Sequence, residues 1–389
     1  MLVKNQKQLK YSHNGFHCGI TMKIMNKKVV IFGATGKVGC YSALHLKNVG
    51  FDVVAVGHRP SDNGFFADYG IQYVSADILN TDTFQNLPQS DVYAVVHFAA
   101  TLPATMDGYH PRIFVESNIY GTMNVLDYAV KAGVKRFVFA RTVADVYYLY
   151  GSQKPIPADA PSRFPLNTDH SIYAITKNAA CDIVAHYAAK YDFKYYIFRF
   201  ANVFCYHPNP TFHKDGIKRW TGQRAIIEQA KKGEDIELWG DPDCKRDVFY
   251  VKDCTQILEK MLTENGESGT YNIGNNMPVT RMEQIQGIID VFGRKENPSK
   301  IIIRRDKPNS PNFCLDISKT IEQLGYKPKY DYISFLKDLK YEMEHNRFEK
   351  LWGKESDYTY DLVGGGKKQL KSYGCSLFVA SSICNAVAA

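Results

Sequence analysis

The chain has 389 residues, with 48 lysines and arginines against 40 aspartates and glutamates and a formal net charge of +8. This length predicts one large or two closely packed domains. The positive charge is spread along the sequence without a dense basic run, which favours a small anionic ligand over nucleic acid. Nine cysteines without a C-x-x-C pair are typical of reduced thiols and argue against a disulfide framework or a zinc site.

The two ends of the chain differ from the sequence between them. Residues 1–24 contain lysines but neither an acidic residue nor the continuous apolar core of a secretory signal, and they are predicted to be a disordered leader. Residues 346–389 are interpreted as a tail of unknown role, whose apolar end at residues 377–389 is too short to span a bilayer. We therefore expect a cytoplasmic protein that binds neither a membrane nor nucleic acid.

The first predicted strand, residues 28–32, is followed directly by the motif G-x-x-G-x-x-G and then by a helical pattern at residues 40–49. A buried strand that enters a helix through a glycine turn presents backbone N–H groups to a pyrophosphate. Glycine is needed because a Cβ would block the turn or the approach of the phosphate. The loop predicts a dinucleotide site made of Gly33, Thr35, Gly36, Lys37, Val38 and Gly39.

Apolar strand patterns alternate with helical patterns from residue 25 to residue 204, and this alternation predicts a parallel sheet covered on both faces. The predicted strands are residues 28–32, 52–56, 72–74, 92–98, 136–139 and 194–200, and the predicted helices include residues 118–131 and 173–190. Residues 205–345, with helices at 223–232 and 281–292, are interpreted as a smaller substrate-binding portion. Residues 245–260 are predicted to return to the first domain.

Tyr173 and Lys177 open one of these helical patterns and lie on the same face, four residues apart. An ammonium one turn away favours the phenolate and lowers a tyrosine pKa that is ordinarily near 10. Such a tyrosine exchanges protons with a substrate hydroxyl or carbonyl near neutral pH. An amphipathic surface pair is the alternative, but the glycine loop upstream favours catalysis.

Further motifs follow the glycine loop in order. They are Asp77-Ile78, His97-Phe98-Ala99-Ala100, N-x-x-G-T-x-N-x-L from Asn118, V-K-R-F-V-F at residues 134–139, R-F-A-N-V-F at residues 199–204 and R-D-x-x-x-V-x-D from Arg246. Together with the glycine loop and the Tyr173/Lys177 pair, this series resembles the extended short-chain dehydrogenase/reductase family, in its nucleotide-sugar epimerase/dehydratase branch. The resemblance covers about residues 25–345.

The resemblance implies a Rossmann-type, doubly wound parallel α/β sheet with a smaller C-terminal α/β substrate-binding portion. It also implies that the remaining cofactor contacts come from Asp77 and Ile78 beside the adenine, from Phe98, Ala99 and Ala100, and from Asn118. For Asn118 a helix cap is the alternative.

The same resemblance implies substrate-phosphate contacts by Asn202, Arg246 and Arg305. A planar guanidinium suits a diphosphate held bidentately, and surface ion pairs are the alternative for both arginines. Family members often dimerise through the helices that correspond to residues 118–131 and 173–190, which suggests a homodimer.

The family's catalytic hydroxyl lies between two anchors that are one residue further apart in this chain. Counting forward from Phe139 gives Thr142, whereas counting back from Tyr147 gives Val143. We choose Thr142 because a threonine hydroxyl can donate a hydrogen bond to a developing oxyanion. The back-count puts Asp145 where the family's 4,6-dehydratases keep a glutamate base, but the Thr-Asp-Glu or Thr-Ser-Glu run of those enzymes is absent.

The end of the second strand reads Val-Gly-His58-Arg59 and lacks the acid that would bind the ribose 2′-hydroxyl of NAD. Asp52 lies at the opposite end of that strand. Arg59 leaves room and charge for a 2′-phosphate, so the cofactor is predicted to be NAD or NADP, with NADP slightly favoured. Arg59 pointing into solvent is the alternative.

These observations predict an NAD(P)-dependent epimerase that acts on a nucleotide-diphosphate sugar through a transient keto intermediate, without a metal. Tyr173 would take a proton from the sugar hydroxyl, Lys177 would hold the cofactor ribose, and Thr142 would polarise the transient carbonyl. A reductase, favoured by Arg59, and a 4,6-dehydratase, favoured by Asp145, are alternatives. A non-catalytic cofactor-sensing protein is a third, because a fold does not fix a function.

Overall fold

The computed structural model describes residues 26–103, 109–168, 171–200, 202–214 and 217–358. The predicted leader at residues 1–24 and residues 359–389 of the tail lie outside these ranges.

The described part of the chain forms fifteen strands. In chain order they are β1 (Lys28–Phe32), β2 (Asp52–Gly57), β3 (Gln72–Ser75), β4 (Val92–His97), β5 (Arg136–Thr142), β6 (Lys194–Phe200), β7 (Val203–Phe204), β8 (Thr211–Lys214), β9 (Ile217–Trp220), β10 (Ile236–Trp239), β11 (Lys245–Arg246), β12 (Phe249–Tyr250), β13 (Gly269–Ile273), β14 (Val279–Thr280) and β15 (Ile301–Arg304).

The α-helices of the described residues cover the sheet and build the second portion. They are α1 (Lys37–Asn48), α2 (Pro111–Val115), α3 (Gly121–Lys131), α4 (Ser171–Tyr191), α5 (Gly222–Lys232), α6 (Val251–Thr263), α7 (Arg281–Phe292), α8 (Ser318–Leu324), α9 (Tyr332–His345) and α10 (Glu349–Trp352). A π-helical turn, Glu116–Tyr120, joins α2 to α3.

Within the described residues, the main sheet has seven parallel strands in the order β13-β6-β5-β4-β1-β2-β3. Phe32, the last residue of β1, pairs with Val56 of β2 and with His97 of β4, so these three strands end together. The strand order reverses between β1 and β4. Ligands of open parallel sheets bind at such a switch point, outside the carboxyl ends of the strands.

Both faces of the sheet are buried, as the continuous apolar strands predict. In β1, Val29 and Ile31 belong to the core that α1 and α6 cover, whereas Val30 and Phe32 belong to the core that α3 and α4 cover. Alternate side chains of a strand point to opposite faces, so helices on both sides are required. The doubly wound parallel α/β fold predicted from the sequence is confirmed.

The predicted second portion, residues 205–345, contains short strand pairs outside the main sheet. Its pairs are β8 with β9, β10 with β15, and β11 with β14. The chain returns to the first portion where β12 pairs with β7 and α6 packs on the sheet. The strand β13, which the sequence patterns did not predict, extends the main sheet beside β6.

Candidate active site

The glycine loop closes tightly between β1 and α1. Gly33 has a φ of +82°, and a Cβ there would lie 2.6 Å from the backbone nitrogen of Ala99. A Cβ at Gly39 would lie 2.2 Å from the carbonyl oxygen of Gly33, and the N–H of Gly36 donates to that same oxygen at 3.0 Å. The first N–H groups of a helix have no partner within it. The loop therefore fits the pyrophosphate of a dinucleotide at the start of α1.

The other residues predicted for this loop lie at the same turn. Thr35 is buried, Lys37 is exposed at the first position of α1, and Val38 is half-buried beside it. The strand β4 ends against the loop, because the N–H groups of Phe98 and Ala99 both donate to the carbonyl of Phe32, at 2.9 and 3.1 Å. Ala100 follows and is half-buried.

The carboxyl end of β2 carries His58, which is exposed, and Arg59, which is half-buried. The Nη1 atom of Arg59 donates to the carbonyl oxygen of Leu351 at 2.5 Å, and the hydroxyl of Tyr73 donates to the carbonyl of Arg59 at 2.6 Å. The alternative prediction, in which Arg59 points freely into solvent, is therefore wrong. Backbone contacts hold this cation at the end of β2.

Of the two residues predicted beside the adenine, Ile78 is held by the helix α3. Asp77 is exposed and Ile78 is half-buried. The side-chain amide of Asn124 donates to the carbonyl of Ile78 at 2.8 Å, and a Cβ at Gly121 would lie 2.6 Å from the Ile78 side chain. The glycine and the second asparagine of N-x-x-G-T-x-N thus allow a close contact between α3 and the loop after β3.

Asn118 lies inside the π-helical turn between α2 and α3 and is buried. Its Oδ1 accepts the N–H of Thr101 at 3.0 Å, and its Nδ2 donates to the hydroxyl of Thr176 at 3.2 Å. The alternative prediction of a helix cap is wrong, because helical backbone continues on both sides. Asn118 instead connects the loop after β4 to the helix that carries Lys177.

Tyr173 lies in the first turn of α4, beside the carboxyl end of β5, which Thr142 ends. The Thr142 side chain lies close enough to Tyr173 for a hydrogen bond from it to lower the Tyr173 pKa, and the Thr142 hydroxyl accepts the N–H of Ala144 at 3.0 Å. Val143, the alternative from the back-count, is buried in the core. The structure therefore brings Thr142, and not Val143, to Tyr173.

The pKa values of the pair depart from the prediction made on spacing. Burial raises the pKa of Tyr173 above its ordinary value; the neighbouring Tyr147 and Cys181 add to the rise, and the hydrogen bond from Thr142 opposes it. The predicted lowering of the Tyr173 pKa is therefore wrong. Burial also lowers the pKa of Lys177 to about 8, and its Nζ lies 3.8 Å from the centroid of the Phe139 ring.

The sequence analysis did not identify two neighbours of this pair, His97 and Tyr147, as functional candidates. His97 is fully buried; burial, with a smaller contribution from the charge of Lys177, lowers its pKa to about 3 and keeps the imidazole neutral. Its Nε2 lies 3.1 Å from the hydroxyl of Thr122. Tyr147 lies near enough to Tyr173 to raise its pKa. Both residues belong to motifs noted in the sequence, but their proximity depends on the packing of β4, β5 and α4.

Asp145 forms a buried ion network and does not resemble a free base. Its Oδ2 lies 2.8 Å from Nη2 of Arg141 and 3.1 Å from Nη2 of Arg199, and both Asp145 and Arg199 are fully buried. The hydroxyl of Ser162 also donates to this oxygen, at 3.3 Å. Two cations and a hydroxyl therefore contact Oδ2, whereas Oδ1 of the same carboxylate is buried without a hydrogen-bond partner among the described residues.

Two of the three predicted substrate residues, Asn202 and Arg246, lie on segments that the pairing of β7 with β12 brings together. Arg246, in β11, is buried and donates from Nη2 to the hydroxyl of Ser310. Arg305 is exposed in the segment that leads to Ser310, and Asn202 is exposed between β6 and β7. Because β7 pairs with β12, three residues after Arg246, the segments of Asn202 and Arg246 meet beyond the carboxyl end of β6, whereas Arg305 follows β15, which pairs with β10.

None of the helices within the described ranges combines the length and apolarity needed to cross a membrane. Those ranges also contain no group of three or more His, Cys, Asp or Glu side chains placed to hold a metal ion.

A glycine loop at the first turn of a doubly wound sheet, with a Tyr–Lys pair beside the same edge, defines the class of dinucleotide-dependent α/β enzymes. Residues 29–274 match the sequence profile of the NAD dependent epimerase/dehydratase family. The chain belongs to this family and is an enzyme of the epimerase/dehydratase type.

Known proteins similar to the chain share nearly their whole length with it. UDP-glucose 4-epimerase of Halalkalibacterium halodurans is 26% identical over 318 residues, which cover 78% of this chain and 91% of the relative. UDP-glucose 4-epimerase of Thermotoga maritima, solved with UDP-glucose, superposes with a TM-score of 0.65 at 21% identity and covers 82% of this chain and 99% of its own. dTDP-glucose 4,6-dehydratase of Bacillus anthracis, solved with NAD, gives a TM-score of 0.63 at 18% identity and coverages of 84% and 98%. These two structures share the fold.

Proposed function

We propose that the protein is an NAD(P)-dependent epimerase of a nucleotide-diphosphate sugar. The placement of Thr142, at the carboxyl end of β5, beside Tyr173 in the first turn of α4, with Lys177 one turn further along that helix, is the observation that carries this proposal. It provides a proton-transfer group beside the edge where the glycine loop fits a dinucleotide. Several similar proteins are named UDP-glucose 4-epimerases, and the sugar nucleotide of those proteins is the first substrate to test.

The dinucleotide would be held by the glycine loop, by Asp77 and Ile78 beside its adenine, by Ala99 at the end of β4 and by Lys177 at its ribose. When bound, it accepts a hydride from the sugar carbon and returns it. Solved neighbours carry NAD, whereas the charge of Arg59 favours a 2′-phosphate. We therefore keep both dinucleotides as candidates, and the test identifies which one binds.

Tyr173 would take the proton of the sugar hydroxyl as the hydride leaves. A hydrogen bond from the Thr142 side chain lowers the Tyr173 pKa, so Thr142 stabilises the Tyr173 phenolate that accepts this proton. Arg246 and Arg305, with Asn202, would hold the diphosphate. A buried guanidinium such as that of Arg246 is suited to a diphosphate because it is planar and keeps its charge when desolvated.

A net reductase remains the alternative to test, whereas the ion network of Asp145 argues against dehydration by that carboxylate. The homodimer contact through α3 and α4 and the cytoplasmic location stay predictions.

The test begins with the purified full chain, which is denatured so that mass spectrometry can identify any dinucleotide it releases. The intact chain is then incubated with UDP-glucose, and UDP-galactose is measured over time. Interconversion without consumption of added dinucleotide supports the epimerase. Turnover that needs stoichiometric NADPH supports the reductase. If neither NAD nor NADP binds, the proposed function is wrong.

A further inference from the structure

The described end of the tail is part of the folded structure. Residues 346–358 leave α9 and bury three large side chains, Phe348, Leu351 and Trp352, against the first portion. The indole Nε1 of Trp352 donates to the carbonyl oxygen of Thr35 at 2.8 Å. This contact reaches the glycine loop, and the proposed reaction does not use it.

Thr35 is held on two sides by this arrangement. A Cβ at Gly57 would lie 2.7 Å from Cγ2 of Thr35, so the Thr35 side chain packs directly on the end of β2. Its carbonyl is bound by Trp352. The peptide group that contains this carbonyl leads into Gly36, immediately before the first N–H groups of α1. Because the two contacts fix that peptide, they also fix the direction of the N–H groups offered to a pyrophosphate.

The same segment binds the loop that follows β2. Arg59 donates to the carbonyl of Leu351 at 2.5 Å, and the side-chain amide of Asn63 donates to the carbonyl of Lys350 at 2.9 Å. The Lys350 ammonium lies 2.5 Å from Oδ2 of Asp68. Arg59, which is predicted at the ribose 2′ position, is therefore oriented by a backbone carbonyl of the segment.

On its other side the segment contacts the second portion. Nη2 of Arg224, in α5, lies 2.5 Å from Oε2 of Glu355, and Nζ of Lys218, in β9, donates to the carbonyl of Tyr358 at 2.9 Å. The ring centroids of His207 and Trp352 are 4.6 Å apart. The segment thus connects the glycine loop, the end of β2 and the second portion.

We propose that residues 346–358 form a wall of the dinucleotide site, with Trp352 as a positioning residue that preorganises the glycine loop. A site ordered before binding loses less entropy when its ligand arrives. Coupling between two binding events is reciprocal, so the dinucleotide must also stabilise the docked segment. This inference rests on the proposed dinucleotide site.

The test compares two matched substitutions in the full chain. Trp352→Phe removes the indole N–H that binds Thr35 but keeps an aromatic ring. Trp239→Phe makes the same chemical change in β10, where the indole donates to Glu237 at 2.9 Å. The Kd of the dinucleotide that the wild-type chain binds is measured by calorimetry after bound dinucleotide has been removed. We expect a roughly three- to tenfold rise for Trp352→Phe and no change for Trp239→Phe.

Hydrogen exchange of the unsubstituted chain gives a second measurement that does not depend on how a variant folds. Saturating dinucleotide is expected to slow amide exchange in residues 346–358. An unchanged Kd for Trp352→Phe together with unchanged exchange overturns the inference. So does tighter binding by Trp352→Phe, because the segment would then compete with the dinucleotide. A wild-type chain that binds neither NAD nor NADP overturns the proposed function instead.

Discussion

The ammonium of Lys177 packs against the face of the Phe139 ring, with 3.8 Å between Nζ and the ring centroid. No carboxylate among the described residues pairs with this ammonium, and burial lowers its pKa from 10.5 to about 8. The buried charge of Lys177 therefore lowers the free energy of unfolding, as is common where an ionisable group is placed for function.

Lys177→Met is expected to abolish epimerisation and to stabilise the chain without ligands. A pKa difference of this size corresponds to on the order of 3 kcal/mol in the free energy of unfolding at pH 7. The gain should be present in full below pH 8 and should fade between pH 8 and 10.5, because the unfolded chain binds the additional proton in that interval. Denaturant unfolding at pH 7 and pH 10 measures both values.

Lys131→Met is the control for this comparison, because Lys131 is exposed at the end of α3. It should change neither activity nor stability appreciably. A Lys177→Met chain that is less stable than the wild type at pH 7 would show that the ammonium has a favourable partner in the folded state.

Thr142→Val should move the pH dependence of the reaction. The Thr142 hydroxyl lowers the Tyr173 pKa, so its removal should shift the acid limb of the kcat profile to higher pH and reduce kcat at pH 7 by about tenfold or more. Thr142→Ser keeps the hydroxyl and should restore the profile. The measurement is kcat from pH 6 to 10 for the three chains. A Thr142→Val profile that coincides with that of the wild type would contradict the role of Thr142 in lowering the Tyr173 pKa.

Asp145→Asn should damage stability more than chemistry. The substitution leaves the buried guanidinium of Arg199 and that of Arg141 without their common carboxylate, and such a loss costs about 3–5 kcal/mol. Asp306→Asn, which weakens an exposed pair with Arg304, should have little effect. Unfolding curves and kcat per folded molecule are compared. A stable Asp145→Asn chain without activity would make Asp145 a catalytic base.

Gly33→Ala should abolish dinucleotide binding, whereas Gly325→Ala should not. Both glycines have positive φ, +82° and +62°, so both variants pay a left-handed backbone cost of about 1–2 kcal/mol. A Cβ meets the backbone nitrogen of Ala99 at 2.6 Å at Gly33, whereas no atom lies within 4 Å at Gly325. Calorimetric titration of both variants with the dinucleotide separates the effect of the contact from that of the backbone strain. Equal losses of affinity in the two variants would show that the glycine loop is not part of the dinucleotide site.

Arg59→Ala should raise the Kd of NADP relative to that of NAD by about tenfold, since only NADP presents a 2′-phosphate to the lost cation. Arg112→Ala removes an exposed charge from α2 and should leave the ratio unchanged. The Kd values of both dinucleotides are measured for the three chains at one ionic strength. An unchanged ratio in Arg59→Ala would mean that Arg59 does not face the ribose.

The sequence by itself determined the fold and the order of its motifs. Continuous apolar strands such as residues 28–32, each followed by a helical pattern, are stable only as a parallel sheet with helices on both faces. The glycine spacing and the Tyr173/Lys177 pair are local relationships along the chain, so they could be found without a structure. The strand β13 was missed because its short, mixed pattern becomes a strand only by pairing with β6.

Tertiary structure decided what depends on contacts between distant segments. It distinguished Thr142 from Val143, because the Thr142 side chain lies beside Tyr173 whereas the Val143 side chain packs in the core. It reversed the expected direction of the Tyr173 pKa, because burial raises that pKa and the hydrogen bond from Thr142 only opposes the rise. Spacing along a helix does not report burial. It also connected Trp352 to Thr35, two residues 317 positions apart in the chain, through a contact that no local pattern encodes.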